Sequence, residues 1–408
     1  MSIFGPQLSS RTGSREKSVE ESLHLLRRSF RSGKTRPTGY RRHQLQRVDA
    51  FLRTHEADIL QCLHEDLGRN ANESLISEVG GITLLLRKAL AEVEEWARPV
   101  RVVTPMEYWF GESYYTYEPK GVALVIAAWN YPVSLALDGL VSAIAAGNCV
   151  CLKVSEVATA TAVLLAKTLP QFLDPETFLL VTGDGAATQE LLTKNQFDHI
   201  VFTGNEQVAQ AILKNPTVAR NLTPVTLELG GKNPAVVLED AFSSGAASSG
   251  AAGGRALRPR SASSRSTWKA LVRRLLRQKM TNCGQVCMAP DYVLLPKVLW
   301  DDFLETANEI VAEFYGADGT ESTSYSSIIS SVHKARLEDL RTDTKGQLFD
   351  LVGVPGGADA KSGGKDRTTR ATLPAMQEGD GEAATTSSPN HSEIGGVKES
   401  LPGAGKQK

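Results

Sequence analysis

The chain has 408 residues and a formal net charge of −1, so no global charge pattern marks it as a partner of nucleic acid or of an acidic surface. Its length allows two or three domains, and 41% hydrophobic residues is ordinary for a globular chain. Five cysteines (Cys62, Cys149, Cys151, Cys283, Cys287) are too few and odd in number for a disulfide scaffold, which fits a reducing compartment. No stretch approaches the ~18 apolar residues that span a bilayer, and the first 17 residues lack a signal-peptide core. A soluble, cytoplasmic chain is expected.

Residues 1–17 are polar and read as disordered. From Ser18 to Arg98 the period is helical, with stripes at Leu23, Leu26 and Phe30, at Leu45, Val48, Phe51 and Leu52, at Ile59, Leu60, Leu63 and Leu67, and at Leu85, Leu86, Leu90, Val93 and Trp96. Arg27, Arg28, Arg41 and Arg42 read as solvated faces of these helices. After Val102 the period changes. Tyr114–Tyr117 reads as β structure, and Gly121–Ala128 is an almost unbroken apolar run, expected of a strand covered on both faces. Further strands are expected at Cys149–Val154, Phe178–Val181, His199–Phe202, Val225–Glu228 and Pro234–Leu238. Helices at Leu135–Ala146, Thr159–Leu169, Ala186–Leu192 and Glu206–Leu213 alternate with them, which argues for an open parallel α/β sheet.

The composition then breaks. Residues 241–266 are mostly Ser, Ala and Gly with interspersed arginines, and cannot bury enough surface to offset their ordering entropy, so they read as a disordered insertion. Order is expected to resume at Trp268 with a basic helix, followed by a strand at Tyr292–Leu295 and helices at Trp300–Phe314 and Val332–Leu340. The stretch 341–408 is rich in Gly, Ser, Thr and charge and reads as a mostly disordered, low-complexity tail.

Four local features could serve one reaction. Trp129-Asn130-Tyr131-Pro132 follows a buried strand, at the edge where ligands of open α/β sheets gather. The Asn130 amide there could donate to an oxyanion or cap the next helix. Phe202-Thr203-Gly204 joins a strand to a helix, a turn that lets a phosphate approach the helix N-terminus. Lys153, at the end of its own strand, could reach a ribose or a phosphate. Glu228, beside Gly230 and Gly231, could act as a general base or serve as a salt-bridged or capping carboxylate. Cys287 lies between a glycine-containing turn and a run of β-formers, where a reactive thiol can be aimed by the following strand.

With these pieces in order, the chain resembles the aldehyde dehydrogenase superfamily, and within it the class 3 and fatty-aldehyde branch. The resemblance rests on Glu118-Pro119-Lys120-Gly121-Val122, Trp129–Pro132, Ile144–Asn148, Leu152–Glu156, Phe202–Gly204, Leu227–Lys232 and Gly284–Tyr292, and runs from about Ser18 to Leu340. It implies a Rossmann-type parallel sheet cofactor domain with its N-terminal helices over 18–229, and a partial α/β catalytic domain over 230–340. It implies NAD- or NADP-dependent oxidation of a small-molecule aldehyde to a carboxylic acid. Cys287 matches the nucleophile. Asn130 with the Cys287 backbone N–H matches the oxyanion donors, and Glu228 matches the base that activates water. The cofactor residues it implies are Trp129, Lys153, Glu156, Gly183, Phe202, Thr203, Gly204, Val208, Leu229 and Gly230, and no metal is implied. Cys149 and Cys151 read as core, and Cys283 as a passive small side chain or a disulfide partner of Cys287.

The pattern also departs from the family. Val154 stands for the usual Pro, Asn205 for the usual Ser, and Ala209 for the second glycine of the turn-helix motif, where a methyl is expected to fill space at a close approach of the helix or the cofactor. Beyond Leu340 the family's nicotinamide-ribose motif and dimer-completing strands are not recognisable, so an incomplete catalytic domain is expected and the homodimer typical of the family lacks its usual elements. A truncated, inactive homologue that binds nucleotide or associates with full-length partners is the alternative.

Overall fold

The structure, a computed structural model, describes residues 9–10, 18–238, 262–316, 322, 324–343, 347–350, 372–375 and 383–384. A two-residue strand β1 (Ser9–Ser10) precedes helix α1 (Val19–Arg31). Ser18 and Glu21 form a reciprocal capping box at the start of α1. Next come α2 (Thr38–Thr54), α3 (Glu56–Leu67) and α4 (Ala71–Ser74), which widens into a π-helical turn over Leu75–Gly80 and continues as α5 (Gly81–Trp96). A hairpin of β2 (Val100–Val102) and β3 (Ser113–Tyr115) follows. The α/β core is β4 (Val122–Ile126), α6 (Pro132–Ala145), β5 (Cys149–Lys153), α7 (Thr159–Thr168), β6 (Phe178–Thr182), α8 (Gly185–Lys194), β7 (His199–Gly204), α9 (Glu206–Leu213), α10 (Pro216–Arg220) and β8 (Val225–Leu229).

The sheet runs β1-β6-β5-β4-β7-β8, parallel throughout except for β1. Every residue of β4, β5 and β6 is buried, because helices cover both faces. The two-residue period of a strand divides the core. Ala123, Val125, Val150 and Leu152 pack with α2, α5 and α6. Val122, Leu124, Ile126, Cys149 and Cys151 pack with α1, α9 and Phe202 on the other face.

The chain order reverses between β4 and β7, the point at whose carboxyl side open α/β sheets bind their ligands. A second unit follows with β9 (Asn233–Val236), α11 (Ala262–Met280) and β10 (Pro290–Pro296), β9 and β10 being parallel neighbours. Helix α12 (Trp300–Tyr315) packs on α11 around Trp268, Val272, Phe303 and Ile310. Helix α13 (Ser331–Asp343) precedes a hairpin of β11 (Gln347–Asp350) and β12 (Thr372–Ala375), and β13 (Ala383–Ala384) adds antiparallel to β10.

Several expectations change. Helix α11 begins at Ala262, inside the segment read as an insertion; helix-forming residues propagate back from the Trp268 anchor, and 241–261 lie outside the described residues. Ser9–Ser10 pair with β6, and three short strands form within 341–408, because edge hydrogen bonds order short segments that composition alone reads as loose. Helix α10 escaped the periodicity reading, although Asn215 at its cap and Pro216 at its first position announce it.

Arg41 is not solvated. It is 8% exposed, and its guanidinium donates to the carbonyls of Thr35 (3.1 Å), Ala145 (3.1 Å) and Arg36 (2.9 Å). It thereby satisfies a carbonyl at the end of α6 that the helix leaves unpaired. Gly147, at φ +86°, admits this clamp; a Cβ there would lie 2.6 Å from the guanidinium carbon. Gly147→Ala is therefore expected to cost more than about 1 kcal/mol, while Gly39→Ala, in open space on α2, is expected to be neutral or to stabilise by up to about 1 kcal/mol. Urea unfolding of the two variants checks the contrast.

Candidate active site

The carboxyl edge of the parallel sheet collects most of the singled-out residues. Trp129 and Asn130 follow β4, Lys153 ends β5 with Glu156 just beyond, and Gly183 follows β6. Phe202, Thr203 and Gly204 end β7, and Glu228 and Leu229 end β8 with Gly230 just beyond. Thr203 and Glu228 are register partners. Glu228 is exposed, and its neighbour is Asp138 on α6, whose carboxyl is pushed up by burial and then by the Glu228 charge. Lys153 is 5% exposed and ion-paired with Glu156 at 2.6 Å.

A buried polar knot holds the loop that carries Cys287. Arg69, with a fully buried side chain, ion-pairs with the equally buried Glu78 at 2.7 Å. The second Glu78 oxygen accepts the backbone N–H of Val133 (3.0 Å) and Ser134 (2.8 Å), capping α6 in place of a side chain from its own N-cap position. Asn130 does not cap that helix. The guanidinium also donates to the Asn130 carbonyl (2.6 Å) and to Asn282 Oδ1 (3.2 Å), and it stacks 4.7 Å over the Tyr131 ring. Burial pushes the Tyr131 phenol up to about 12, so it stays neutral near pH 7.

Asn282 then donates its amide to the carbonyls of Asn130 (3.0 Å) and Gln285 (3.2 Å). The Asn130 amide reaches the same Gln285 carbonyl at 3.0 Å. One of its two N–H groups is thus used, on a carbonyl two residues before Cys287.

The loop itself turns through three successive left-handed residues, Asn282 (φ 51°), Cys283 (φ 55°) and Gly284 (φ 76°). Non-glycine residues hold that conformation only under external restraint. Glu73 supplies part of it by accepting the Asn282 N–H at 2.7 Å. Gln285 supplies more, donating to Ser327 O (3.0 Å) and accepting from Ile329 N (3.0 Å). Cys283 faces the second core, whereas Cys287 is exposed. Asn233 donates to the carbonyls of Cys287 (2.9 Å) and Ala289 (3.2 Å) and fixes the loop's exit into β10. Trp129 meets His333 of α13 edge-on, with ring centroids 5.0 Å apart.

The model of the aldehyde dehydrogenase family matches residues 7–256 and 265–376. The chain belongs to the aldehyde dehydrogenase family. Rat aldehyde dehydrogenase family 3 member B1 is 35% identical over 323 residues, 79% of this chain and 63% of that protein. The dimeric NADP-preferring aldehyde dehydrogenase of dog is 35% identical over 327 residues, 80% of this chain and 66% of that protein. Pongo abelii aldehyde dehydrogenase family 3 member A2 is 36% identical over 330 residues, 79% of this chain and 61% of that protein. The chain therefore spans somewhat less than two thirds of these relatives' lengths. The substrate-bound structure of Staphylococcus aureus AldH superposes with a TM-score of 0.76 at 29% identity, covering 90% of this chain and 72% of that one.

Against the family pattern, two departures have simple structural settings. Asn205 caps α9 by accepting the Val208 N–H at 2.9 Å, a role in which Asn and Ser are equivalent. Of the two places expected for the Ala209 methyl, it takes the one under the helix: it is buried in the core that includes Phe202, Ile212 and Val218. Val208 beside it is 42% exposed. Gly204 is required by Phe202, whose ring would lie 2.4 Å from any Cβ at that position.

Residue-by-residue reading missed Arg69, Glu78 and the linking role of Asn282 and Gln285. The available signal was polar residues inside stretches otherwise patterned for the core.

A last feature borders the loop. Lys279, near the end of α11, has no hydrogen-bond partner for its ammonium among the described residues, and burial lowers it from 10.5 to about 8 despite nearby Asp291. Between those values the unfolded chain holds a proton that the folded chain has released, so stability rises with pH across that window. At pH 7 the burial costs roughly 3 kcal/mol by linkage. Lys279→Met is expected to raise stability at pH 7 by about 1–3 kcal/mol, with the gain shrinking as pH climbs from 8 towards 10.5. Denaturant midpoints measured across that range check the sign.

Proposed function

We propose that this chain oxidises an aldehyde to a carboxylic acid with NAD or NADP as the electron acceptor, through a covalent intermediate on Cys287. The observation that carries this reading is the shared Gln285 carbonyl: it ties the Asn130 amide to the loop of an exposed Cys287, at the edge where ligands of open α/β sheets bind. Cys287, as thiolate, adds to the aldehyde carbon, and the charge on the former carbonyl oxygen is stabilised by the remaining Asn130 N–H and the backbone N–H of Cys287. Glu228, solvent-exposed at the end of β8, takes a proton from the water that then cleaves the thioester and releases the acid.

The strand ends fit a dinucleotide. At the end of β5, the Lys153 ammonium and the Glu156 carboxylate offer a donor and an acceptor side by side, as a ribose diol requires. Trp129, Gly183, Phe202, Thr203, Gly204, Val208, Leu229 and Gly230 would line the rest of the edge. When bound, NAD(P) supplies the hydride acceptor that takes the Cys287 adduct to the thioester. The dog relative, named as NADP-preferring, supports the cofactor class.

The test is NAD(P)H absorbance with a medium-chain or aromatic aldehyde. Wild type is expected to turn over. Cys287→Ala is expected to lose at least about 10³-fold in kcat, and Glu228→Gln to keep a burst of one equivalent while losing about 10²–10⁴-fold in steady-state rate. A folded wild-type chain without turnover sinks the proposal, and nucleotide-dependent thermal stabilisation without turnover favours a nucleotide-binding homologue.

A further inference from the structure

We infer that Arg69 is a positioning residue for the nucleophile loop, acting through Asn282 to set the distance between the Asn130 amide and Cys287. The inference rests on the catalytic roles proposed above for Asn130 and Cys287, and Arg69 itself touches neither thiol nor substrate.

The argument starts from which groups have no freedom. Arg69 has a fully buried side chain, and its three hydrogen-bond acceptors lie in different segments: Glu78 in the π-helical turn, the Asn130 carbonyl after β4, and Asn282 before Cys287. A guanidinium is a planar fork of donors, so three acceptors around it are held in one plane and one register. Its N–H towards Asn282 requires the amide oxygen on that side, which turns the Asn282 NH2 towards the carbonyls of Asn130 and Gln285. The orientation of Asn282 is therefore dictated by Arg69.

The consequence falls on Asn130 from both sides. Its carbonyl is held by Arg69 and Asn282, and its amide by the Gln285 carbonyl, which Asn282 also holds. Asn130 and the loop that ends in Cys287 are thus locked around one shared oxygen, with Arg69 at the root. The left-handed backbone of Asn282 and Cys283 shows that the loop is held under restraint rather than resting in its preferred conformation.

Two variants of the full chain separate positioning from mere folding. Asn282→Gly keeps the left-handed backbone and the Arg69–Glu78 pair but removes the amide bridge. Arg69→Lys keeps a positive charge against Glu78 but cannot reach three acceptors at once. Cys287 thiols are titrated first, and kcat is expressed per titrated thiol. Both variants are expected to lose at least about tenfold in kcat per thiol, with KM for the nucleotide within about twofold of wild type. A purely structural role would instead lower the titratable fraction and leave kcat per thiol unchanged, and that result overturns the inference.

If the wild-type chain has no turnover, the functional proposal falls, but the alkylation rate of Cys287 by iodoacetamide between about pH 6 and 9, read by peptide mass, still decides the role of Arg69. A rate changed by at least about threefold in Asn282→Gly supports it, and a superimposable profile overturns it.

Discussion

The buried Arg69–Glu78 ion pair is the interaction on which the site depends. Removing two charges from water costs several kcal/mol each, and Coulomb attraction alone seldom recovers it. Here the remaining valences are used as well: Glu78 closes the N-terminus of α6, and Arg69 binds two further oxygens. The pair is better understood as specifying a geometry than as adding stability. It joins the helical N-terminal layer, the parallel sheet and the second unit at one point, and the loop of Cys287 begins there.

The sequence made the sheet legible because its strands are buried on both faces. Runs such as Val122–Ile126 and Cys149–Lys153 announce themselves without alternation, and the intervening helices carry a clear period. The residues at the strand ends were legible too, since glycine, Asn and Lys in those places break an apolar run. What escaped was the restraint behind the site. Arg69 and Arg41 look in sequence like solvated arginines, and only three-dimensional placement shows that the partners of each include a main-chain carbonyl far along the chain. Backbone acceptors leave no trace in residue identity.

The departures from the family pattern carry a related lesson. Ala209 was expected to fill space where either the helix or the cofactor approaches closely, and the first turn of α9 turns it into the core and leaves Val208 facing out. One residue of helical phase, about 100°, decides whether a methyl obstructs a ligand or fills a hydrophobic layer. Asn205, which looked like a second loss, preserves the helix cap.

The β9–α11–β10 crossover has a further consequence. Asn233 at the start of β9 holds Cys287, and β9 and β10 are parallel, so the end of β9 lies at the opposite end of this small sheet from the thiol. Helix α11 then spans the return over 19 residues, about 28 Å. Leu238, just past β9, and Ala262, at the start of α11, therefore lie at the ends of their elements farthest from the nucleophile loop. Both elements thus present their fixed ends, Asn233 and the last turn of α11, to the reactive loop.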